Sequence, residues 1–250
     1  MRIRLSIVSI FIVTFFVLVF CATLLQCSHP EVGQHVRVFD KKITKYVGSH
    51  YLLYLPKDYY ESKKNWPLIL FLHGGGATGT DINRVKKNGP PKLIEEGKEY
   101  PFIVVSPQHK KNTRFSNDFL IALLDDIVAN YRVDEDRLYV TGLSGGGTAT
   151  WNLAMEYPHC FAAIAPICGR GNPDGARRIK HLPVWVFHGA KDELRSIKTS
   201  EAMVEALKGV GGNVRFTVYP EAGHDAWTET YSNPELYEWF LKQRRQPKQE

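Results

Sequence analysis

The sequence predicts an α/β fold: a mostly parallel central sheet of about eight strands, opened by an N-terminal edge hairpin and covered by helices on both faces. Two observations carry this prediction. Short apolar runs bounded by polar or glycine-rich turns alternate along the chain with stretches of helical spacing, as repeated strand–helix–strand crossovers require. Several of those runs are apolar at consecutive positions, the pattern of strands buried on both sides.

Taken in order, His35–Phe39 and Ser49–Leu55 read as the edge hairpin, the second strand stopped by Pro56. Pro67–Leu72 is a continuous apolar strand that runs into His73, Gly74, Gly75 and Gly76. A short helix is expected around Lys92–Glu96 and a buried strand at Phe102–Val105. Within Asp118–Tyr131, the residues Phe119, Leu120, Leu123, Ile127 and Tyr131 recur at helical spacing. Arg137–Thr141 is a strand, followed after a glycine-rich turn by a helical stretch, Thr148–Met155. Strands at Phe161–Ile167 and Val184–Phe187, a helix at Ser200–Val210, a strand at Val214–Val218 and a helix at Pro234–Gln243 complete the set. No repeat or long linker follows Gln34, so residues 35–243 read as one domain with a basic tail, 244–250.

The first residues stand apart. Arg2 and Arg4 precede an uncharged, mostly apolar run, Leu5–Leu25, long enough to span a bilayer. Residues 1–27 are therefore expected to act as a signal or membrane anchor, joined to the domain by a polar connector, 28–34. Retention as an anchor, cleavage between Ala22 and Ser28, and lipid attachment at Cys27 are the three outcomes weighed; Leu24–Cys27 resembles a bacterial lipoprotein signal, with Gln26 where a small residue is expected. The expected location is exported: membrane-anchored, lipoprotein, or secreted/periplasmic.

Cys21 and Cys27 fall in or beside that segment, leaving Cys160 and Cys168 for the domain. A strand between them would hold their Cα atoms roughly 25 Å apart, beyond disulfide reach, so two buried thiols are expected. The net charge of +6 comes partly from the leader and the tail. No zinc-finger, RNP or helix-turn-helix pattern accompanies it, and nucleic acid is not an expected partner.

The chemistry gathers at strand ends, where open parallel sheets place their sites. Gly142-x-Ser144-x-Gly146 joins a strand to a helix in the pattern of a nucleophile elbow, with glycines removing side chains that would collide in the turn. A serine hydroxyl needs an imidazole to take its proton and a carboxylate to orient that imidazole. Asp192 follows the strand ending at Phe187, and His224 follows the one ending at Val218, so the chain order is Ser, acid, His. Glu193 and Asp225 compete for the acid role; Asp225 adjoins His224 and is expected to turn away. The backbone N–H groups of Gly145 and Gly75 are expected to form an oxyanion hole, with His73 holding the second loop. The rival reading, Gly74-x-Gly76-x-x-Gly79 as a dinucleotide fingerprint, lacks a helix after it, and no P-loop lysine is present, so no cofactor or metal is expected.

The segments Tyr51–Pro56, Leu70–Gly76, Phe102–Gln108, Gly142–Gly146, Ala165–Gly169, Val184–Asp192 and Tyr219–His224 resemble those of α/β-hydrolase-fold esterases of the polyhydroxybutyrate-depolymerase, feruloyl-esterase and dienelactone-hydrolase-like group, related to the prolyl oligopeptidase catalytic domain. The resemblance spans about Ser49 to Trp239. It implies Ser144 as nucleophile, Asp192 as acid and His224 as base in hydrolysis of a carboxylic ester, small or polysaccharide-linked. A prolyl oligopeptidase-like peptidase and a non-catalytic scaffold are the alternatives. The chain departs from the group in three places. Gly145 replaces a bulky residue after the serine, which should loosen the turn, and the three consecutive glycines Gly145 to Gly147 are expected to leave the oxyanion side less rigid than in relatives. Arg195-Ser196 replaces Val-Pro after the acid, where Arg195 is either exposed or turned toward the cleft to favour an anionic substrate. Arg114-Phe115 stands where tryptophan is common.

Overall fold

The computed structural model describes residues 47–245. The expected strand His35–Phe39, the 1–27 segment, the 28–34 connector and residues 246–250 of the tail lie outside them.

Seven strands form one sheet: β1 (Tyr51–Tyr54), β2 (Trp66–Leu72), β3 (Ile103–Pro107), β4 (Val133–Leu143), β5 (Ala163–Ile167), β6 (Val184–Gly189) and β7 (Val214–Tyr219), in the order β1-β3-β2-β4-β5-β6-β7. All neighbours are parallel except β1, which runs antiparallel to β3 with Tyr51 opposite Pro107. About eight strands were expected and among the described residues the sheet has seven; the expected hairpin partner His35–Phe39 lies outside the described residues, and β1 pairs with β3 on one side. That pairing depends on a contact between distant segments, which local turn chemistry does not signal.

Among the described residues six α-helices cover the sheet: α1 (Gly89–Glu95), α2 (Asn117–Asn130), α3 (Gly145–Glu156), α4 (Lys198–Gly209), α5 (Trp227–Ser232) and α6 (Pro234–Leu241). Their placement follows from the period of two in β2. Leu68, Leu70 and Leu72 point into a core shared with Leu120 and Ile127 of α2, Trp151 and Leu153 of α3, and Met203 and Leu207 of α4. Ile69 and Phe71 point the other way, into a core with Tyr231 of α5 and Leu236, Tyr237 and Phe240 of α6. Helix starts follow local chemistry. Asn233 accepts a hydrogen bond from Glu235 N at 2.9 Å and is followed by Pro234, a side-chain cap with proline in the first turn. The six-residue α5 has no counterpart in the sequence expectations, being too short to display a helical period.

Strand β4 begins four residues before the expected Arg137, because the charged stretch Asp134–Asp136 extends it past the core. There Arg137 Nε pairs with Asp134 Oδ2 at 2.6 Å and keeps the charges at the surface. Cys160 and Cys168 form no disulfide; Cys168 is buried, and Cys160 is half-buried rather than buried as expected.

Leu70 sits on the central strand β2 with no exposed surface. Leu70→Ala should cost ~2–5 kcal/mol, from lost transfer energy plus the cavity left behind, read as a lower urea midpoint with an unchanged slope.

Candidate active site

The carboxyl ends of β2, β4, β6 and β7 bring the sequence-predicted residues together. After β4, Ser144 adopts φ 53°, ψ −112°, a left-handed conformation that costs a non-glycine residue ~1–3 kcal/mol and persists only where its surroundings impose it. They do so by close packing. A Cβ on Gly146 would lie 1.9 Å from Leu72 O, one on Gly142 would lie 2.5 Å from Gly146 O, and one on Gly147 would lie 2.5 Å from Ile167 O. Glycine at these positions lets α3 close onto β2, β4 and β5, and Ser144 N donates to Ile167 O at 2.9 Å. The expectation that consecutive glycines loosen the turn is thus corrected for Gly146 and Gly147, which are wedged between backbones. Gly145 alone has room, its nearest neighbour being Gly75 N at 3.9 Å from an added Cβ.

Ser144 Oγ donates to His224 Nε2 at 2.9 Å, and His224 Nδ1–H donates to Asp192 Oδ2 at 2.7 Å. The loops carrying the acid and the histidine interlock through Ala190 N to Tyr219 O and Lys191 N to Ala222 O, both 2.9 Å. Their backbones come so close that a Cβ on Gly189 would sit 2.1 Å from Gly223 O.

The Asp192 side chain has no exposed surface, and three hydrogen-bond donors and a neighbouring imidazole surround it. Oδ1 accepts from Leu194 N at 3.0 Å and Arg195 N at 2.8 Å; Oδ2 accepts from His224, and His188 Nε2 stands 3.1 Å from it. Burial alone would raise the carboxyl pKa, but hydrogen bonds from His224 and the Arg195 backbone, with the nearby imidazoles, outweigh it and hold the group below the ordinary value. Neither competitor joins this arrangement. Glu193 is exposed, and Asp225 is exposed and accepts from Thr228 N at 3.0 Å and Thr228 Oγ1 at 2.9 Å, capping α5.

His188 was visible in the sequence without a role. Its ring is fully buried, with Nε2 also 2.8 Å from Arg195 O and Nδ1 2.8 Å from Ser200 Oγ. Two acceptors face Nε2, so that nitrogen carries the proton. Cys168, His188 and Asp192 place three possible ligand atoms within 4.8 Å of one another. The nitrogens and carboxylate oxygens already have protein partners, and burial pushes the Cys168 thiol up to about 12, so the cluster reads as packing behind Asp192.

Opposite Ser144, the loop after β2 packs on the elbow: a Cβ on Gly74 would meet Leu143 Cδ1 at 2.6 Å. Gln108 Nε2 holds that loop through Ala77 O at 2.7 Å and Asp81 O at 2.8 Å. His73 holds it too, as expected: Nδ1–H donates to Gly74 O at 2.7 Å, and Nε2 accepts from His109 N at 3.3 Å. Burial, partly offset by the Gly74 hydrogen bond, lowers its pKa to about 4. A cleft of about 680 Å³ opens from Gly75 and Gly145 along α3. Thr148, Arg170 and Arg195 line its near part, and Phe115 lies on its wall.

Gly145→Ala should fold normally and gain about 0.5–1 kcal/mol, the helix-propensity difference, whereas Gly146→Ala should lose at least ~1–3 kcal/mol through overpacking. Paired thermal melts of the two variants check this. His73 imposes an acid limit. Its folded pKa of about 4 lies below the ordinary 6.5, so the unfolded chain binds the proton first and stability falls as pH drops from 6.5 toward 4. The slope for this one proton approaches ~1.4 kcal/mol per pH unit, and His73→Asn should flatten the fall in denaturant midpoint between neutral and mildly acidic buffer.

Comparison with known proteins gives the family. Residues 49–249 match the family model described as "Putative esterase". A curated "Putative esterase NocK" from Nocardia uniformis is 36% identical over 141 residues, 52% of this chain and 41% of that protein. "Probable feruloyl esterase C" from Aspergillus niger is 23% identical over 232 residues, 89% of this chain and 84% of that protein. Among solved structures, one titled as a thermostable esterase superposes with a TM-score of 0.68 at 33% identity, covering 78% of this chain and 59% of that one. The chain spans less than half the length of several curated relatives, 41% of the Nocardia protein and 28% of a poly(3-hydroxyalkanoate) depolymerase from Paucimonas lemoignei. The family match covers the whole sheet and all four strand-end loops, and by it the chain belongs to this esterase family.

Proposed function

We propose that the protein is a serine carboxylesterase that hydrolyses small-molecule or polysaccharide-linked esters through an acyl-enzyme, with Ser144, His224 and Asp192 as its triad. The observation that carries this reading is the continuous hydrogen-bonded chain from Ser144 Oγ through both His224 nitrogens to Asp192 Oδ2. His224 Nε2 takes the Ser144 proton as Oγ attacks the ester carbonyl, then returns it to the leaving alcohol; water attacks the acyl-enzyme by the same route and releases the acid. Asp192 keeps His224 in the tautomer with Nδ1 protonated and stabilises the imidazolium as it forms. The tetrahedral oxyanion sits between the N–H groups of Gly145 and Gly75. Gly145 N opens α3, where the first N–H groups lack intrahelical acceptors and the helix dipole favours negative charge. Preorganised donors of this kind contribute about 10²–10³ in rate each.

Ser144→Ala should lower kcat for p-nitrophenyl acetate by at least ~10⁴-fold with the fold intact, and Asp192→Asn, which frees Nδ1 to lose its proton, by roughly 10³–10⁴-fold. Covalent labelling by a fluorophosphonate should occur in the wild type and be absent in Ser144→Ala. Unchanged turnover or labelling in that variant rules the nucleophile out.

A further inference from the structure

Resting on the esterase reading, we propose that the cleft selects esters bearing an anionic group, foremost a carboxylate, bound by Arg170 and Arg195. Four observations carry this.

The first is position. Both arginines line the same cleft as Gly75 and Gly145, and both are tied to Thr148, one turn beyond Ser144 on α3. Arg195 Nη1 donates to Thr148 Oγ1 at 2.7 Å, Arg170 N donates to the same oxygen at 3.0 Å, and Thr148 N donates to Ser144 O at 3.0 Å.

The second is uncompensated charge. Ion pairs of the described lysines and arginines fall elsewhere, and neither Arg170 nor Arg195 shares one. The one side-chain partner of the Arg195 guanidinium is a neutral hydroxyl. Burial and then the neighbouring Arg170 lower the Arg195 pKa, with Cys168 and Asp192 opposing them in part. A guanidinium stays charged at any physiological pH, and a bidentate carboxylate offsets both lowering effects.

The third is rigidity. Arg195 N donates to Asp192 Oδ1 at 2.8 Å and Arg195 O accepts from His188 Nε2 at 2.8 Å, so the same contacts that place the acid fix the backbone of this arginine. A preorganised donor binds with less ordering cost.

The fourth is the charge gradient of the cleft. Its lining carboxylates, Asp118 and Glu156, lie at the far end. Glu156 closes α3, ~16 Å from Gly145 at 1.5 Å per residue, and accepts from Asn117 at 2.7 Å, which sets the start of α2 beside it. The end nearest Ser144 therefore carries Arg170 and Arg195 with no lining carboxylate, while the remote carboxylates share their end with Arg114. An ester with a carboxylate near its reacting carbonyl fits that order, and an acidic polymer running the full length does not.

The test uses matched esters that differ in one charge: mono-p-nitrophenyl adipate against p-nitrophenyl hexanoate for the acyl side, and 4-acetoxybenzoate against 4-acetoxybenzamide for the alcohol side. In at least one pair the full chain should favour the anion by about tenfold or more in kcat/KM, and added sodium chloride should shrink that ratio. Arg170→Gln, an exposed position, should lower the ratio, and Arg170→Gln/Arg195→Gln should bring it near one. A neutral ester turned over as well as its anionic partner in both pairs overturns the proposal, as does a ratio that survives the double variant. If the wild type hydrolyses none of the four, the esterase reading fails by itself, and calorimetric titration with adipate and 4-hydroxybenzoate then reads the anion site. Binding lost in the double variant supports the site; no binding to the wild type, or equal binding to both proteins, overturns it.

Discussion

A carboxylate cut off from water carries a large desolvation penalty unless donors replace the lost hydration, and those that serve Asp192 come from its own loop and from a second loop 32 residues away. Two are backbone N–H groups of its own loop and the third is His224 from the loop after β7, while His188 at the end of β6 stands 3.1 Å from Oδ2. Removing any of the three donors leaves a buried acceptor short of a partner, so the two loops stand or fall together. His188 extends this dependence outward. Its Nε2 also serves Arg195 O, and its Nδ1 meets Ser200 at the start of α4, so the geometry around Ser144 is coupled to a helix that never touches the cleft.

Backbone packing supplies the second constraint. The elbow works because glycines at 142, 146 and 147 allow carbonyls of β2 and β5 to approach α3 to distances that any side chain would block. This is a steric requirement rather than a call for flexibility. The left-handed Ser144 is held from the carbonyl of Ile167 behind it and by Thr148 N on its own carbonyl. Gly189 plays the same part between the acid and histidine loops. Rigid strand ends with interdigitated backbones place a hydroxyl, an imidazole and a carboxylate within hydrogen-bond distance across separations of 80 and 32 residues.

Charge is distributed by the same framework. The net excess of +6 says little about partners when counted over the whole chain. Its location matters more: Arg170 follows β5 and Arg195 lies in the Asp192 loop, and Thr148 gathers both beside Ser144. The departure at Arg195-Ser196, which in the sequence admitted an exposed arginine, becomes a half-buried guanidinium facing the cleft.

The sequence by itself determined the strand–helix alternation, the parallel character of the sheet, and the order of Ser144, Asp192 and His224 at strand ends. These were legible because consecutive apolar runs, helical spacing and glycine-bounded turns are local signals that follow from burial and backbone sterics. It preferred Asp192 but kept Glu193 and Asp225 as competitors, misjudged Gly146 and Gly147 as sources of looseness, missed α5, and gave His188 and Thr148 no part. Only the tertiary structure decided those points. Which carboxylate is turned inward, which glycine lies against a distant carbonyl, and which arginine is left without a partner depend on contacts between residues dozens of positions apart, and no local pattern encodes a distance of that kind.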